Sequence, residues 1–490
     1  MSDTFGNHDA KSAAFVHQTV ANCAIPGTPL AQAAAGLDAC VHCGFCLQAC
    51  PTYVNLEDEN ESPRGRLVLM SRLLEGDIAL DDVDAGKHMD RCLGCRACET
   101  ACPSGVPYGE LLEATRATMA VVRGRPLVAR VVLALFAHTT LLHITLFAAR
   151  VVRGTGIPRV LARVLPERLA FPLAMLASTS PIPLRAARNG SRGALRAAAR
   201  PGDAPRETPP LPATVLSGCV MSGLFGHVND ATSRVLAHNG YAVRTTRNQH
   251  CCGALHAHAG DLTGARALAR RNIAAFEAST AEVIAVNSAG CGAMLKQYGH
   301  LLHDDPAWAE RAERVAARTR DVSELLAAAG PRRGQLLPVR VTHDPPCHQM
   351  HAQRVVSQPI AVLHAIDGME LIPLEDADQC CGSAGIYNLI EPSTSDAVLA
   401  PKLLAIARTG AMLVATGNPG CMMQIGAGLL RSGSVARVVH PVELLDASYD
   451  GVGGVGGVGS VGGAGSVGGA GGAGGIGGAG GIGGAGGIGA

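Results

Sequence analysis

Eight cysteines between Asp38 and Pro107 share one repeated spacing. Cys40, Cys43 and Cys46 stand three apart and are followed by Cys50-Pro51, while Cys92, Cys95 and Cys98 stand three apart and are followed by Cys102-Pro103. Thiolates are soft ligands, and a loop with a thiol at every third position wraps three of them round one face of a [4Fe–4S] cubane. The fourth thiol, carried off by the next turn, normally ligates the other cubane of a two-cluster chain. The spacing therefore pairs Cys40, Cys43, Cys46 and Cys102 on one cluster, and Cys92, Cys95, Cys98 and Cys50 on the other. Zinc or disulfides are the competing explanations. Zinc needs only four ligands, usually in Cys-x-x-Cys pairs, and leaves the third Cys and the trailing Pro of each motif without a purpose.

The rest of the composition sets bounds. At 490 residues, 47% of them apolar, the chain has room for two or three domains with real cores. A net charge of +1 gives no basic field for nucleic acid. Seventeen Cys, with no apolar signal run between Met1 and Val20, point to a reducing compartment: the cytoplasm, or the cytoplasmic face of a membrane. Cys23 stands alone before Pro26-Gly27 and reads as a free thiol.

The elements that must hold the eight thiols are mostly helical, in a ferredoxin-like unit over residues 1–125. Glu61-Ser-Pro-Arg-Gly-Arg66 is a loop feeding a helix whose apolar face is Leu67, Met70, Leu73 and Leu74 and whose stop is Gly76. Arg64 and Arg66 are candidates for positive charge beside a cluster. Tyr108, Leu111, Leu112, Thr115, Met119 and Val122 fall on one face of a helix closing near Arg123.

Residues 126–212 form a basic, apolar connector ending in a Pro-rich linker over 201–212. From Arg116 to Arg200 there are fourteen Arg and one acid, Glu167; Val131 to Ala149 is nineteen residues without a charge. That length could span a bilayer, but His138, His143 and three Thr interrupt it. A basic, apolar, Pro-broken stretch more often lies on a membrane surface or against a partner, and residues 126–200 are expected to do so.

Residues 213–448 carry one pattern twice. Cys219, Cys251-Cys252-Gly253 and Cys291 mark the first copy (213–330), and Cys347, Cys380-Cys381-Gly382 and Cys421 the second (331–448). The intervals are 32 and 39 residues, then 33 and 40. Each copy reads strand–Cys–helix–strand–CysCysGly–helix–strand–GlyCys, which predicts a parallel α/β lobe with every Cys beyond the carboxyl end of a strand. The helices are expected around Asp230–His238 and Pro359–Ala365, and the second strands over Tyr241–Thr245 and Met369–Leu374. Glycine after each Cys pair permits the tight turn that lets adjacent thiols face one centre. The four thiols of each lobe are thus candidate ligands for a further cluster or metal, with redox-active or merely buried thiols as the alternative. Residues 449–490, nearly all Gly, Val, Ala, Ile and Ser, cannot bury enough side chain to order themselves.

Cys40-Val-His-Cys-Gly-Phe-Cys46, Ser62-Pro-Arg-Gly-Arg66, Asp90-Arg-Cys-Leu-Gly-Cys-Arg-Ala-Cys-Glu-Thr-Ala-Cys-Pro-Ser-Gly105, Cys251-Cys-Gly-Ala-Leu-His256, Ser288-Ala-Gly-Cys-Gly-Ala-Met294 and Cys380-Cys-Gly-Ser-Ala-Gly385 resemble the iron–sulfur subunits of bacterial glycolate oxidase (glycolate dehydrogenase). The likeness spans roughly residues 35 to 447. It implies two [4Fe–4S] clusters, flavin-binding partner subunits that oxidise glycolate to glyoxylate, and a quinone or other membrane electron acceptor. No flavin site is evident in this chain. The wider family also serves lactate and glycerol 3-phosphate oxidation and includes heterodisulfide reductases, whose cysteine-rich domain ends in Cys-x-x-Cys. Here Met294 and Gln424 stand at that last position, which argues against a disulfide-reducing unit; a non-enzymatic redox sensor has no output domain to support it.

Overall fold

A computed structural model describes residues 23–184 and 209–449. The Gly-rich tail from Asp450 on, and most of the Pro-rich linker, lie outside the described residues.

The N-terminal region is helical because its apolar residues recur at helical spacing between strong caps. Helix α1 (Pro63–Glu75) starts where the Ser62 side chain accepts from the Gly65 N–H and stops at Gly76, whose φ of 81° suits a residue without Cβ. It buries Leu67, Met70, Leu73 and Leu74 against Leu111, Leu112 and Met119 of α2 (Tyr108–Arg123), and Leu30 completes this core.

The connector is a run of helices laid over the rest: α3 (Leu127–Ala137), α4 (Thr139–Gly154), α5 (Ile157–Val164) and α6 (Glu167–Ser178). The uncharged stretch is broken: α3 and α4 meet at His138 at an angle of 104°, and no single helix among the described residues is long and apolar enough to cross a membrane. Leu142 and Leu146 of α4 are buried against the helix Val220–Leu224, where a Cβ on Gly223 would collide with Leu146. Helix α6 packs on the second lobe, where Ser178 Oγ donates to the Met423 carbonyl at 3.4 Å.

Each lobe is a four-stranded parallel sheet. The first comprises β1 (Leu211–Val215), α7 (Gly226–His238), β2 (Tyr241–Arg244), α8 (Ala254–His258), α9 (Leu262–Glu277), β3 (Val283–Val286), α10 (Ala289–Lys296), β4 (Thr319–Asp321) and α11 (Val322–Ala329), in the strand order β2-β1-β3-β4. The second repeats it with β5 (Arg340–His343), α12 (Ser357–His364), β6 (Glu370–Ile372), α13 (Tyr387–Ile390), α14 (Pro392–Thr409), β7 (Leu413–Ala415), α15 (Pro419–Arg431), β8 (Arg437–Val439) and α16 (Pro441–Tyr449), in the order β6-β5-β7-β8. Thr214 pairs with both Arg244 and Ile284, and Thr342 with both Ile372 and Val414.

The alternation of strand and helix was readable, but β4 and β8 were not. Each is a three-residue strand joined directly to a capped helix, and the only trace was the repeated Val-x-Glu-Leu-Leu or Val-Glu-Leu-Leu that follows. The Pro-rich linker ends earlier than its composition suggests. Pro212 sits near the start of β1, where its carbonyl still accepts from the Glu282 N–H and its missing N–H falls at the strand's beginning.

Candidate functional site

The eight N-terminal thiols sort into two adjacent cavities. Cys40, Cys43, Cys46 and Cys102 wall the first, together with Arg64; Cys50, Cys92, Cys95 and Cys98 wall the second, together with Arg66. Cys98 borders both. The last Cys of each motif lines the cavity of the other loop. The two loops share a backbone shape: positive φ falls at His42 and Gly44 in one, and at Gly94 and Arg96, the same offsets, in the other. Such turns aim backbone N–H groups inward, and the Gly94 N–H lies 3.4 Å from Cys92 Sγ.

All seventeen thiols are free; five line the outer cavity and four the inner, Cys98 among both, enough in each to supply the four donors of an iron–sulfur cubane. Burial pushes the Cys95 and Cys98 thiols well up, with neighbouring thiols adding to it, so thiolates here need a positive centre to hold them. Arg66, fully buried, supplies part of that charge. Its guanidinium donates to Glu61 Oε2 at 2.6 Å, to Thr52 Oγ1 at 3.1 Å and to the His88 carbonyl at 2.8 Å. Thr52 Oγ1 in turn is 3.2 Å from Cys50 Sγ, and the Tyr108 hydroxyl lies 3.6 Å from Cys92 Sγ. Tyr108 read only as a helix-face residue in the sequence; nothing in its spacing announced the sulfur contact.

The two cavities differ in exposure. Cys43 is exposed between Val41 and Phe45, each about two-thirds exposed, whereas Cys50, Cys92, Cys95 and Cys98 are all buried. The buried cavity abuts the second lobe. Leu93, Cys95 and Ala97 form one apolar group with Cys380, Tyr387 and Val398, and Cys347 packs against it.

In each lobe the four thiols meet beyond the carboxyl ends of the strands. Strand order reverses between β1 and β3, the place where such sheets hold ligands, and Cys219 follows β1 while Cys291 opens the helix after β3. Cys219 Sγ is 3.6 Å from Cys251 Sγ, and Cys252 Sγ is 3.3 Å from Cys291 Sγ. One tetrahedral ion with metal–sulfur bonds of about 2.3 Å spaces its thiolates by about 3.8 Å. The two pairs match that spacing, but no three of these thiols lie within 4.8 Å of one another, so the set is two close pairs rather than a formed tetrahedral cage. Hydrogen bonds from Cys219 and Cys252 hold the Cys251 thiol well below its usual range; Cys347 and Cys381 do the same for Cys380. Gly253 (φ 91°) and Gly382 (φ 83°) make the turns, and a Cβ on Gly382 would lie 2.6 Å from the Ser395 carbonyl oxygen.

The lobes are not equivalent. Asp344 and Lys402, both buried, pair at 3.0 Å in the second, where Lys402 also donates to the Asp376 and Ala377 carbonyls. Three residues before the first lobe's leading thiol, at the place of Asp344, stands the apolar Leu216. Met294 is core, and Gln424 is consumed by Ser395 and Asn388, so neither replaces a fifth thiol. Cys23 packs on the N-terminal core. Asn418 joins the lobes: its Oδ1 accepts from the Gly290 N–H at 3.2 Å, and its Nδ2 lies 3.4 Å from Cys421 Sγ.

Comparison with known proteins agrees with this reading of the parts. Residues 36–106 match the family model of a 4Fe-4S dicluster domain, and residues 213–296 and 341–426 each match that of a cysteine-rich domain. The chain is 36% identical to the probable glycolate oxidase iron-sulfur subunit of Bacillus subtilis, over 83% of this chain and 92% of that one. It is 32% identical to the glycolate oxidase iron-sulfur subunit of Escherichia coli, over 84% and 94%. Lactate utilization protein A of an Exiguobacterium species is 30% identical over 46% of this chain and 94% of that one.

Proposed function

Since the chain belongs to the family of glycolate oxidase iron–sulfur subunits, we propose that it is the electron-transfer subunit of a complex oxidising glycolate to glyoxylate, with flavin on a partner subunit and a quinone as acceptor. Iron–sulfur clusters, when bound, accept and release single electrons, which is what must connect a two-electron flavin to a distant acceptor. Cys40, Cys43, Cys46 and Cys102 would hold one [4Fe–4S] cluster, and Cys50, Cys92, Cys95 and Cys98 a second. The four thiols of each cysteine-rich lobe would hold a further metal centre.

The observation that carries this reading is the graded burial of the donor sets. Exposed Cys43, flanked by Val41 and Phe45, offers a surface for the flavin subunit, while Cys95 places the inner set against the second lobe. Arg64 and Arg66 add positive charge to their cavities, which favours the reduced state; Glu59 and Glu61, paired with them at 2.8 and 2.6 Å, temper it. The connector supports a location on the cytoplasmic face of a membrane. Leu127, Val131, Ile144, Phe147, Val160 and Val164 are each more than half exposed, among exposed Arg130, Arg150, Arg159 and Arg163. Co-purification with flavin subunits and loss of glycolate-dependent dye reduction in Cys95→Ser test the proposal; full activity in that variant overturns it.

A further inference from the structure

A cavity of about 310 Å³ lies apart from the thiol sites. It opens where the three parts of the molecule meet, and its size sits at the lower end of small-molecule pockets. Met119 and Ala120 of α2 form one wall, Leu255 of α8 a second, and Ile386 and Ile390 a third. Pro126 and Ala129, at the start of α3, lie at its rim. Cys92 lines this cavity and the inner thiol cavity alike, so one residue separates a ligand here from the second donor set.

The cavity carries arginines, but Arg116 and Arg125 turn most of their donors on protein carbonyls and Arg123 is paired with Asp90. Arg116 donates to the carbonyls of Met89, Asp90, Cys92 and His258; Arg125 donates to those of Ala259 and Gly260 and lies 3.7 Å from Asp261. Arg123 faces Asp90 at 3.5 Å. What remains is apolar wall with two polar groups. The Tyr387 hydroxyl donates to the Arg91 carbonyl at 2.9 Å and is also bonded by the Thr394 side chain; His258 Nδ1 is held by Glu113 Oε1 at 2.8 Å, which leaves Nε2 for a ligand. Flat, uncharged, with one or two oxygens: that is the ligand these walls suit. On the same turns of α3 that supply the rim, Leu127, Val128 and Val131 are exposed, an apolar track leading outward.

We propose that this cavity binds the ring of a lipid-soluble quinone, with the isoprenoid tail along α3. The inference rests on the electron-transfer reading above and deepens it by placing the acceptor. Reduction converts the two ring carbonyls to hydroxyls with two electrons and two protons. The electrons are those withdrawn from the 2-hydroxy acid, and they reach the ring beside Cys92. One proton reaches a ring oxygen by way of His258, solvent supplying it to Nε2 and that N–H passing it to the quinone oxygen while Nδ1 stays bonded to Glu113; the second enters from solvent at the mouth.

The test is direct binding of two probes, a short-chain ubiquinone and menadione, to the anaerobically purified chain by equilibrium dialysis. One site per chain is expected for at least one of them, weakened roughly tenfold or more in Ala120→Trp, whose indole fills the cavity. Iron content and melting temperature of the variant establish that it has folded. An azidoquinone should in addition photolabel wild-type peptides covering Leu255–Ala259 and Ile386–Ile390, a readout that needs no variant. In His258→Ala the probe should bind more weakly and quinone reduction by the complex should fall, and unchanged quinone reduction in that variant overturns the role of His258. No binding of either probe, binding untouched by Ala120→Trp, or label confined to other peptides overturns the site. Loss of the electron-transfer reading would show separately, as protein without iron or a complex unable to reduce dye from glycolate.

Discussion

Cys95, from the second ferredoxin-type loop, packs against Cys380, the first thiol of the second lobe's Cys-Cys-Gly turn, inside one buried group with Leu93, Ala97, Tyr387 and Val398. Two motifs far apart in the sequence therefore share a wall, and the inner four-thiol set and the lobe's set are neighbours.

That contact separates two variants that look alike on paper. Cys95→Ser removes a member of the inner set, and iron per chain should fall by about four, with activity lost. Cys380→Ser lies outside that set; the ferredoxin-type iron should stay, with an altered electron paramagnetic resonance signature. An unchanged spectrum in Cys380→Ser would show that the two sites do not sense each other.

Arg66 and Glu61 are both under 2% exposed and bonded at 2.6 Å, with Arg91 and His88 also on the Glu61 carboxylate. Removing Arg66 takes a charged hydrogen-bond partner from the buried Glu61 carboxylate, which keeps Arg91 and His88, at a cost of about 1.5–3 kcal/mol. Arg66→Met should lower the denaturation midpoint accordingly and impair iron retention. Arg66→Lys should recover little, since an ammonium cannot reach Glu61, Thr52 and the His88 carbonyl together. Wild-type stability in Arg66→Met would contradict the argument.

In the first lobe the thiols stand as two close pairs, at 3.3 and 3.6 Å, that a bound metal centre would bridge. Metal analysis of Cys219→Ser should show one equivalent fewer, with the visible absorbance of the ferredoxin-type clusters intact. Equal metal content in variant and wild type would leave the lobe's thiols as plain core.

Much of this arrangement was legible in the residues, and the rest had a reason to be hidden. Cysteine spacing carries ligand geometry directly, so the gathering of Cys40 to Cys102 round two neighbouring cavities has a trace in the intervals. The duplicated lobes were equally open, because strand, thiol and glycine recur at matched offsets; Gly253 and Gly382 do adopt positive φ. Contacts between distant segments leave no local pattern. Nothing near Asp344 names Lys402 as its partner, nothing near Tyr108 names Cys92, and the wall between Cys95 and Cys380 follows only from docking of whole domains. The connector fell between these cases: its charge and apolarity were plain, but the break at His138, beyond which Leu142 and Leu146 join the core, carries no local signal.

His440 ties the lobes together and should make that junction acid-sensitive. Its Nε2 donates to the Asn287 carbonyl at 2.9 Å while Nδ1 accepts from the Val442 N–H at 3.1 Å, a pair of bonds that requires the neutral ring. Burial pushes its pKa down to about 4. Below the unfolded value near 6.5 the unfolded chain binds a proton that the native one refuses, so stability falls with pH, by about 2 kcal/mol at pH 5. Glu443, lifted by burial to about 7, works in the opposite direction. Comparing wild type with His440→Gln at pH 7.5 and pH 5 isolates the histidine: the wild type's advantage should shrink as pH falls. An advantage independent of pH would refute the neutral-ring assignment.

The connector's outer face yields the last test. Membrane adsorption of such a face draws on two terms, apolar side chains entering the interface and arginines near anionic headgroups, the latter worth about 1 kcal/mol each. Purified protein should therefore float with vesicles containing anionic phospholipid, and much less with neutral ones. Raising salt to about 1 M, where screening acts within about 3 Å, should release it without detergent. Arg150→Gln with Arg159→Gln should weaken binding roughly thirtyfold by that arithmetic, and Phe147→Glu should do so through the apolar term. The bend of 104° between α3 and α4 matters here, because a surface-lying pair gives up its lipid to salt whereas a spanning pair does not. Retention on vesicles after the salt wash would move these helices into the bilayer; absence of binding to any vesicle would leave the apolar face to a protein partner.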